Sequence, residues 1–413
     1  MESQRCKGMR DLLPDDMRRF RYIEDTFRNC CVKWGYREVR TPSLEYLHLF
    51  TATGTLTPSR LGRAYSFLDW NGWSGERVVL RPDGTIPIAR LYIENLSQQQ
   101  NARLFYVTDI FAFEQTGKEN RERWQCGVEF LGGAGPMADV ELILLARELL
   151  HNLGIGEVEL RLSHAGLAKA LVKELGLSPR DEAEMLGRIL DGDWQAWKEA
   201  KSDNLELDRF LVSLVNFKGK LSDFLKKVEL PASQASAELK SNLSDFTDVV
   251  RLLDDLKCDY WIDIAAIHGF EYYTGVCLQL FYRGEKIGGG GRYDELLSLM
   301  GSKNMPACGF AIYVEPLIKM LSLKEDERSE SGVLVKAGER TPGVMEACFS
   351  LAQSLRNTGH IVELDLAGGR ASDYRWVVSV PGEGSFVIID RKTGEKREVS
   401  SLTQVAGMLG GVD

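Results

Sequence analysis

The sequence predicts an α+β protein: an antiparallel, hairpin-linked sheet with flanking helices, a helical insertion, and a small C-terminal α/β domain. Three observations carry that reading. Between residues 64 and 130, and again from 276, short runs rich in β-formers are joined by turn signals at hairpin spacing. From roughly 165 to 256 the segments LAKALVKEL, DEAEMLGRIL and AELKSNLSDFTDVVRLLDDL all carry helical patterning. After the charged stretch 324–331, a strand–helix–strand order marks a βαβ unit. With 413 residues the chain has room for about two to three domains.

The first helix is expected from about Asp15 to Trp34. Its apolar stripe is Met17, Phe20, Ile23, Phe27 and Cys31, and Gly35 closes it. Residues 36–42 then read as a strand stopped by Pro42, with Leu44 and Glu45 beyond. Residues 64–69 and 76–80 form a strand pair running into Pro82-Asp83-Gly84, which is turn chemistry, before a helix over 86–96. A long hairpin follows, with arms 104–111 and 124–130, and then a helix from Gly135. On its second arm Gln125 and Glu129 stand four apart and share a face. After the helical block the chain returns to strand at 258–263. Residues 307–312 open a further strand–helix unit.

The densest stretch is 263–296. Tyr272 and Tyr273 precede an alternating, β-rich run, Val276 to Tyr282. A turn is expected at 283–286, and four glycines, 288–291, lead into Arg292-Tyr293-Asp294. Four glycines in a strand–loop context let a backbone approach a ligand or another strand closely. They fit neither G-x-G-x-x-G nor G-x-x-x-x-G-K-[ST], so a nucleotide loop of those types is excluded. Two explanations stand at this point: a tight bulged hairpin with core tyrosines, or a small-molecule pocket.

Composition narrows the classes. The chain is 44% hydrophobic and 27% charged, ordinary for a globular protein, with net charge −9 and no basic run that reads as a nucleic-acid patch. Its eight cysteines include no C-x-x-C pair, which points to free thiols in a reducing compartment rather than disulfides or zinc. The first residues lack the apolar core of a signal peptide, and no run reaches the ~18 apolar residues of a membrane span. A cytoplasmic protein without metal or cofactor is expected.

The residues FEYYTG and GGGGRYDEL resemble the paired histidine-specific motifs of the histidyl-tRNA synthetases, a class II family. The 15–42 unit is similar to class II motif 1, which forms the dimer interface in that class. The long hairpin and the helix after it are similar to motif 2, and 307–317 to motif 3. The resemblance implies a class II aminoacyl-tRNA synthetase-like antiparallel sheet. It also implies a core over 1–322 with an insertion at about 165–256, a linker over 323–331, and a reduced anticodon-binding-like α/β domain over 332–413. Residues 367–374 carry two glycines and no apolar stripe where that family has a helix.

By the same resemblance, a histidine-binding-like pocket comprises Asp83, Thr85, Gln125, Glu129, His268, Tyr272, Tyr273 and Tyr293. Asp83 and Thr85 take the ammonium, and Glu129 with a tyrosine hydroxyl takes the imidazole. Class II adenylation also needs cations around the α-phosphate, a task suited to arginine. Here Ala112, His268 and Pro316 occupy the three arginine positions.

A pocket kept while the catalytic cations are lost resembles the synthetase-derived regulatory subunits of ATP phosphoribosyltransferase. That implies a non-catalytic, allosteric role in the first step of histidine biosynthesis and a short-form catalytic subunit as partner. It further implies a homodimeric core within a hetero-oligomer, with histidine as a candidate ligand and no tRNA. The alternatives are an active synthetase in which Arg121, Arg123 or Arg292 substitutes, and a histidine-sensing or ligase paralogue. With His268 facing the carboxylate, histidine is expected to bind more tightly as pH falls toward about 6. It should fail well below about pH 5, where Asp83 and Glu129 lose their charge.

Overall fold

The computed structural model describes residues 4–54, 56, 61–62, 64–69, 75–111, 121–190, 193, 195–199, 213, 217–220, 236–264, 272–323, 332–366 and 374–409. The chain forms two compact units, 1–321 and 322–413.

In the first unit, helix α1 (Pro14–Lys33) starts with proline in its first turn and Asp15 and Asp16 beside it, and buries Phe20, Ile23 and Phe27. Strand β1 (Arg37–Glu38) follows. Strands β2 (Leu44–Tyr46), β3 (Ser66–Leu68) and β4 (Arg77–Leu80) make a small sheet in the order β2-β4-β3, with α2 (Leu47–Ala52) between β2 and β3. Next come α3 (Thr85–Asn95), the long hairpin of β5 (Ala102–Phe111) and β6 (Glu122–Leu131), and α4 (Gly135–Asn152). Strand β7 (Glu159–His164) leads into α5 (Ala165–Glu174), α6 (Pro179–Leu190) and α7 (Gln195–Glu199). The unit continues through β8 (Lys218–Gly219), α8 (Ala237–Asp255), β9 (Trp261–Asp263), β10 (Val276–Tyr282) and β11 (Glu285–Arg292). It closes with α9 (Leu296–Leu299), β12 (Ala307–Tyr313) and α10 (Val314–Met320).

These strands build one nine-stranded sheet among the described residues, in the order β1-β5-β6-β12-β11-β10-β7-β9-β8. Only β1/β5 and β7/β9 run parallel. Both faces of its centre are covered, so strand residues sort by parity. On β6, Cys126, Val128 and Phe130 join the core that contains α1, α4 and α8. On β5, Leu104 and Tyr106 join a second core with Ile86, Ile88, Tyr272 and Tyr293.

The second unit holds β13 (Val333–Ala337), α11 (Pro342–Asn357), β14 (Val362–Leu364), β15 (Trp376–Gly382), β16 (Ser385–Asp390), β17 (Lys396–Val399) and α12 (Leu402–Leu409). Its sheet order is β14-β13-β15-β16-β17. Strand β13 pairs parallel to both β14 and β15, around a core of Val335, Leu351, Val378 and Ile388.

Several expectations change in detail. The strand expected over 36–42 is only Arg37–Glu38, because Pro42 and the neighbouring irregular chain carry no ladder. The glycines 288–291 lie inside β11, not in a loop, paired on both sides to β10 and β12. The turn narrows to Arg283 and Gly284, both at positive φ (51° and 79°), the backbone of a two-residue hairpin loop. The helical block is interrupted by β8, which pairs with β9. Strand β7 falls at the edge of that block and carries no turn signal of its own, so it escaped the sequence reading. So did β15 to β17 and α12. Residues 324–331 and 367–373 lie outside the described residues.

Candidate functional site

Asp83 occupies the turn before α3, and its Oδ1 accepts the Ile86 amide proton at 2.9 Å, capping the helix start. Its Oδ2 accepts from the Tyr272 hydroxyl at 3.4 Å. Two residues on, Thr85 begins α3 and donates its hydroxyl to Glu129 Oε1 at 2.8 Å. Tyr106 donates to the same oxygen at 3.2 Å, and Gln125 Nε2 donates to the Tyr106 hydroxyl at 3.3 Å. The Tyr293 hydroxyl donates to Glu129 Oε2. The turn, the helix, strands β5 and β6 and the tyrosines flanking the β10–β11 hairpin thus meet in one polar network.

Glycine makes that meeting possible at two positions. A Cβ on Gly309, directly opposite Glu129 in the β6–β12 ladder, would lie 1.9 Å from Glu129 Oε2. A Cβ on Gly127 would lie 2.2 Å from Tyr106 Cζ. The sheet floor is therefore bare where the side chains above it need room.

Beside the network is a cavity of about 260 Å³. Asp83, Thr85, Gln125, Tyr272, Tyr273 and Tyr293 all line it, so six of the eight residues singled out from sequence converge. The tyrosine rings meet edge to face, Tyr272 with Tyr273 at 5.1 Å and with Tyr293 at 5.7 Å between centroids. Glu129, only 1% exposed, is not on the wall. It stands behind it and fixes the hydroxyls of Thr85, Tyr106 and Tyr293. Its carboxylate sits within the network, opposite Gly309 of β12. His268 lies outside the described residues.

Burial dominates the electrostatics. It pushes the Asp83 carboxyl up to about 6, against the pull of the Ile86 and Thr85 amides. It pushes Glu129 up to about 8, against hydrogen bonds from Tyr293 and Thr85 and with the Asp83 charge adding to the rise. The expected pH window therefore moves. A carboxylate that ionises near 6 serves an ammonium fully only above that point, so ligand affinity should climb with pH until about 6 and level off beyond it.

The positions tied to adenylation look different. Pro316 lies in the first turn of α10 and offers no side-chain donor. Ala112 lies outside the described residues. Among the three candidate substitutes, Arg292 is committed elsewhere: it donates to Asp139, to the Gly133 and Gly135 carbonyls and to Asp294. Arg121 packs on Gly8 and reaches the Tyr65 hydroxyl at 3.5 Å, off the cavity wall. Arg123 alone of the three lines the cavity.

Sequence reasoning missed Tyr106, Gln279 and Lys286. Tyr106 was legible in principle, being on the same face of β5 as Leu104 and opposite Gly127. Gln279 and Lys286 reach the site only through the β10–β11 register.

The family model for histidyl-tRNA synthetase matches residues 8–317. An ATP phosphoribosyltransferase regulatory subunit of Dehalococcoides mccartyi is 46% identical over 409 residues, covering 98% of both chains. A histidine–tRNA ligase of Pyrococcus furiosus is 32% identical, covering 96% of each. Among solved structures, a protein described as an ATP phosphoribosyltransferase regulatory subunit/histidyl-tRNA synthetase from Bacillus halodurans superposes with a TM-score of 0.77 at 26% identity. It covers 92% of this chain and 98% of its own. A Nostoc histidyl-tRNA synthetase, at 19% identity and a TM-score of 0.75 over 99% of both chains, shares the fold. With the class II-like sheet, the tyrosine-lined cavity and a full-length relative at 46% identity all in agreement, the chain belongs to the ATP phosphoribosyltransferase regulatory subunits, a histidyl-tRNA synthetase-like family.

Proposed function

We propose that this chain is the non-catalytic regulatory subunit that acts with a separate short-form ATP phosphoribosyltransferase catalytic subunit. In the cytoplasm it is required for the first step of histidine biosynthesis and carries histidine feedback onto it. The observation that carries the reading is the assembled binding wall of the cavity. The carboxyl-and-hydroxyl wall around Asp83, Thr85 and the tyrosines is assembled, and at the position that the family resemblance gives to a motif 3 arginine this chain carries Pro316. Forming an adenylate builds negative charge on a phosphate, and each fixed cation missing from that centre typically costs a few kcal/mol of barrier, about 3 at a single donor. Proline contributes nothing to that charge, so binding survives and chemistry does not.

The wall suits a small amine-bearing ligand. Asp83 offers an acceptor for an ammonium, and Gln125 and the tyrosine hydroxyls offer directional partners for a polar ring. Histidine has both features. Ligand binding here would order the turn before α3 and the β10–β11 hairpin together, which is how occupancy could be passed to a partner surface.

The test is a phosphoribosyl-transfer assay on the catalytic subunit alone, with this chain, and with this chain plus histidine. Expected are activity only in the mixture and its suppression by histidine. No change on adding the chain would overturn the reading. Histidine-dependent ATP–pyrophosphate exchange by the chain alone would overturn it from the other side.

A further inference from the structure

The cavity lining includes cations as well as a carboxyl. Lys286 stands at the start of β11, just after the hairpin turn, and lines the same cavity as Asp83 and Tyr272. The glycines beyond it have no side chains to hold it off, so it lies back along the strand. A Cβ on Gly289 would sit 3.5 Å from Lys286 Cε and 3.7 Å from its Nζ. Lys286 is half-buried, and among the described residues it makes no hydrogen bond or ion pair. The other cation on the wall, Arg123, shares its charge with Glu315.

An ammonium held partly out of water without a counter-ion carries a desolvation cost that an arriving anion removes. The same lining carries the Asp83 carboxyl and the Thr85 and tyrosine hydroxyls. A cavity lined by both a carboxyl and an ammonium that has no counter-ion among the described residues is complementary to a zwitterion.

We propose that Lys286 is the carboxylate anchor of this pocket, making it select a free α-amino acid over an amine of the same shape. The inference rests on the reading of the cavity as a histidine site and adds the residue that fixes its specificity. The ligand's ammonium turns toward Asp83 and its carboxylate toward Lys286 Nζ.

Calorimetric titration of the full chain with histidine and with histidinol, which carries a hydroxymethyl in place of the carboxylate, tests this. Wild type should prefer histidine by about tenfold or more, the usual worth of a charge-assisted hydrogen bond. Lys286→Met should weaken histidine by that factor, leave histidinol unchanged, and so erase the preference. Lys286→Arg, which keeps the charge, should retain it. If Lys286→Met melts early, Lys286→Gln takes its place in the same comparison. An unchanged preference in the uncharged variant, or an equal loss for both ligands, overturns the assignment while leaving the histidine site standing. If neither ligand binds wild type, the histidine site itself fails and this inference with it.

Discussion

Asp83 and Glu129 are buried in one hydrogen-bonded network, and their raised proton affinities make two measurable signatures. An ammonium ligand requires Asp83 ionised, and the empty site ionises it only near pH 6. Below that value binding must expel a proton, so histidine affinity should rise roughly tenfold per pH unit up to about 6 and then level off. Calorimetry in two buffers of different ionisation enthalpy should show proton release at pH 5.5, and affinity that instead climbs as pH falls would contradict the role given to Asp83. Glu129 gives the second signature. Its native value of about 8 lies above its unfolded one, so the folded state holds more protons between the two. Stability contributed at low pH is then lost as pH rises through that window. Glu129→Gln, nearly isosteric with the protonated acid, removes the loss. Its advantage over wild type in urea unfolding should be small at pH 5, grow toward pH 8 on the order of 2 kcal/mol, and flatten above. A difference independent of pH would mean Glu129 is already ionised in the native protein.

The elements explain why those two carboxyls are where they are. Parity on β6 sends Gln125, Gly127 and Glu129 to one face and Cys126, Val128 and Phe130 into the opposite core. Pairing with β12 then places Gly309 under the Glu129 carboxylate. Gly309→Ala adds a methyl 1.9 Å from Glu129 Oε2 in a strand that has no slack, so the carboxylate must leave its three hydroxyl donors. Overpacking and the lost acceptor together should cost about 3 kcal/mol in chemical unfolding and abolish ligand binding. A variant as stable as wild type would show that Glu129 has another place to go. Elements with strong local signals were read correctly from sequence: α1 to within a residue, α3, the β5–β6 hairpin, α4, β10, and the β13-α11-β14 unit. The weak ones were not. Strand β7 is short and adjoins helix, and its place in the sheet comes from pairing to β10 and β9, which are distant in the chain.

At the scale of the whole molecule, β1 is the edge of the nine-stranded sheet, and α1 beside it leaves Val32 exposed at 61%. An open edge and an unsheltered apolar residue on neighbouring elements favour closure by a twofold partner. Sedimentation at micromolar concentration should therefore give a dimer, and Val32→Glu should shift it toward monomer; a wild-type monomer at that concentration would exclude the interface. The second unit folds around its own core of Val335, Leu351 and Val378. No helix among the described residues is long and apolar enough to cross a membrane, and none of their His, Cys, Asp and Glu side chains cluster as a metal site would require.

What the sequence determined alone is what local chemistry controls. Periodicity, turn residues and caps located most helices and hairpins, and the motif resemblance supplied eight pocket residues of which six line the cavity. Tertiary structure decided the rest, because those properties arise from register and burial between distant segments. The β6–β12–β11 alignment put Glu129 behind the wall rather than on it and sent Arg292 to Asp139 instead of the cavity. The β10–β11 hairpin brought Lys286 to the cavity wall. Desolvation, which no linear reading measures, raised Asp83 and Glu129 and with them the pH at which the site's carboxyls ionise.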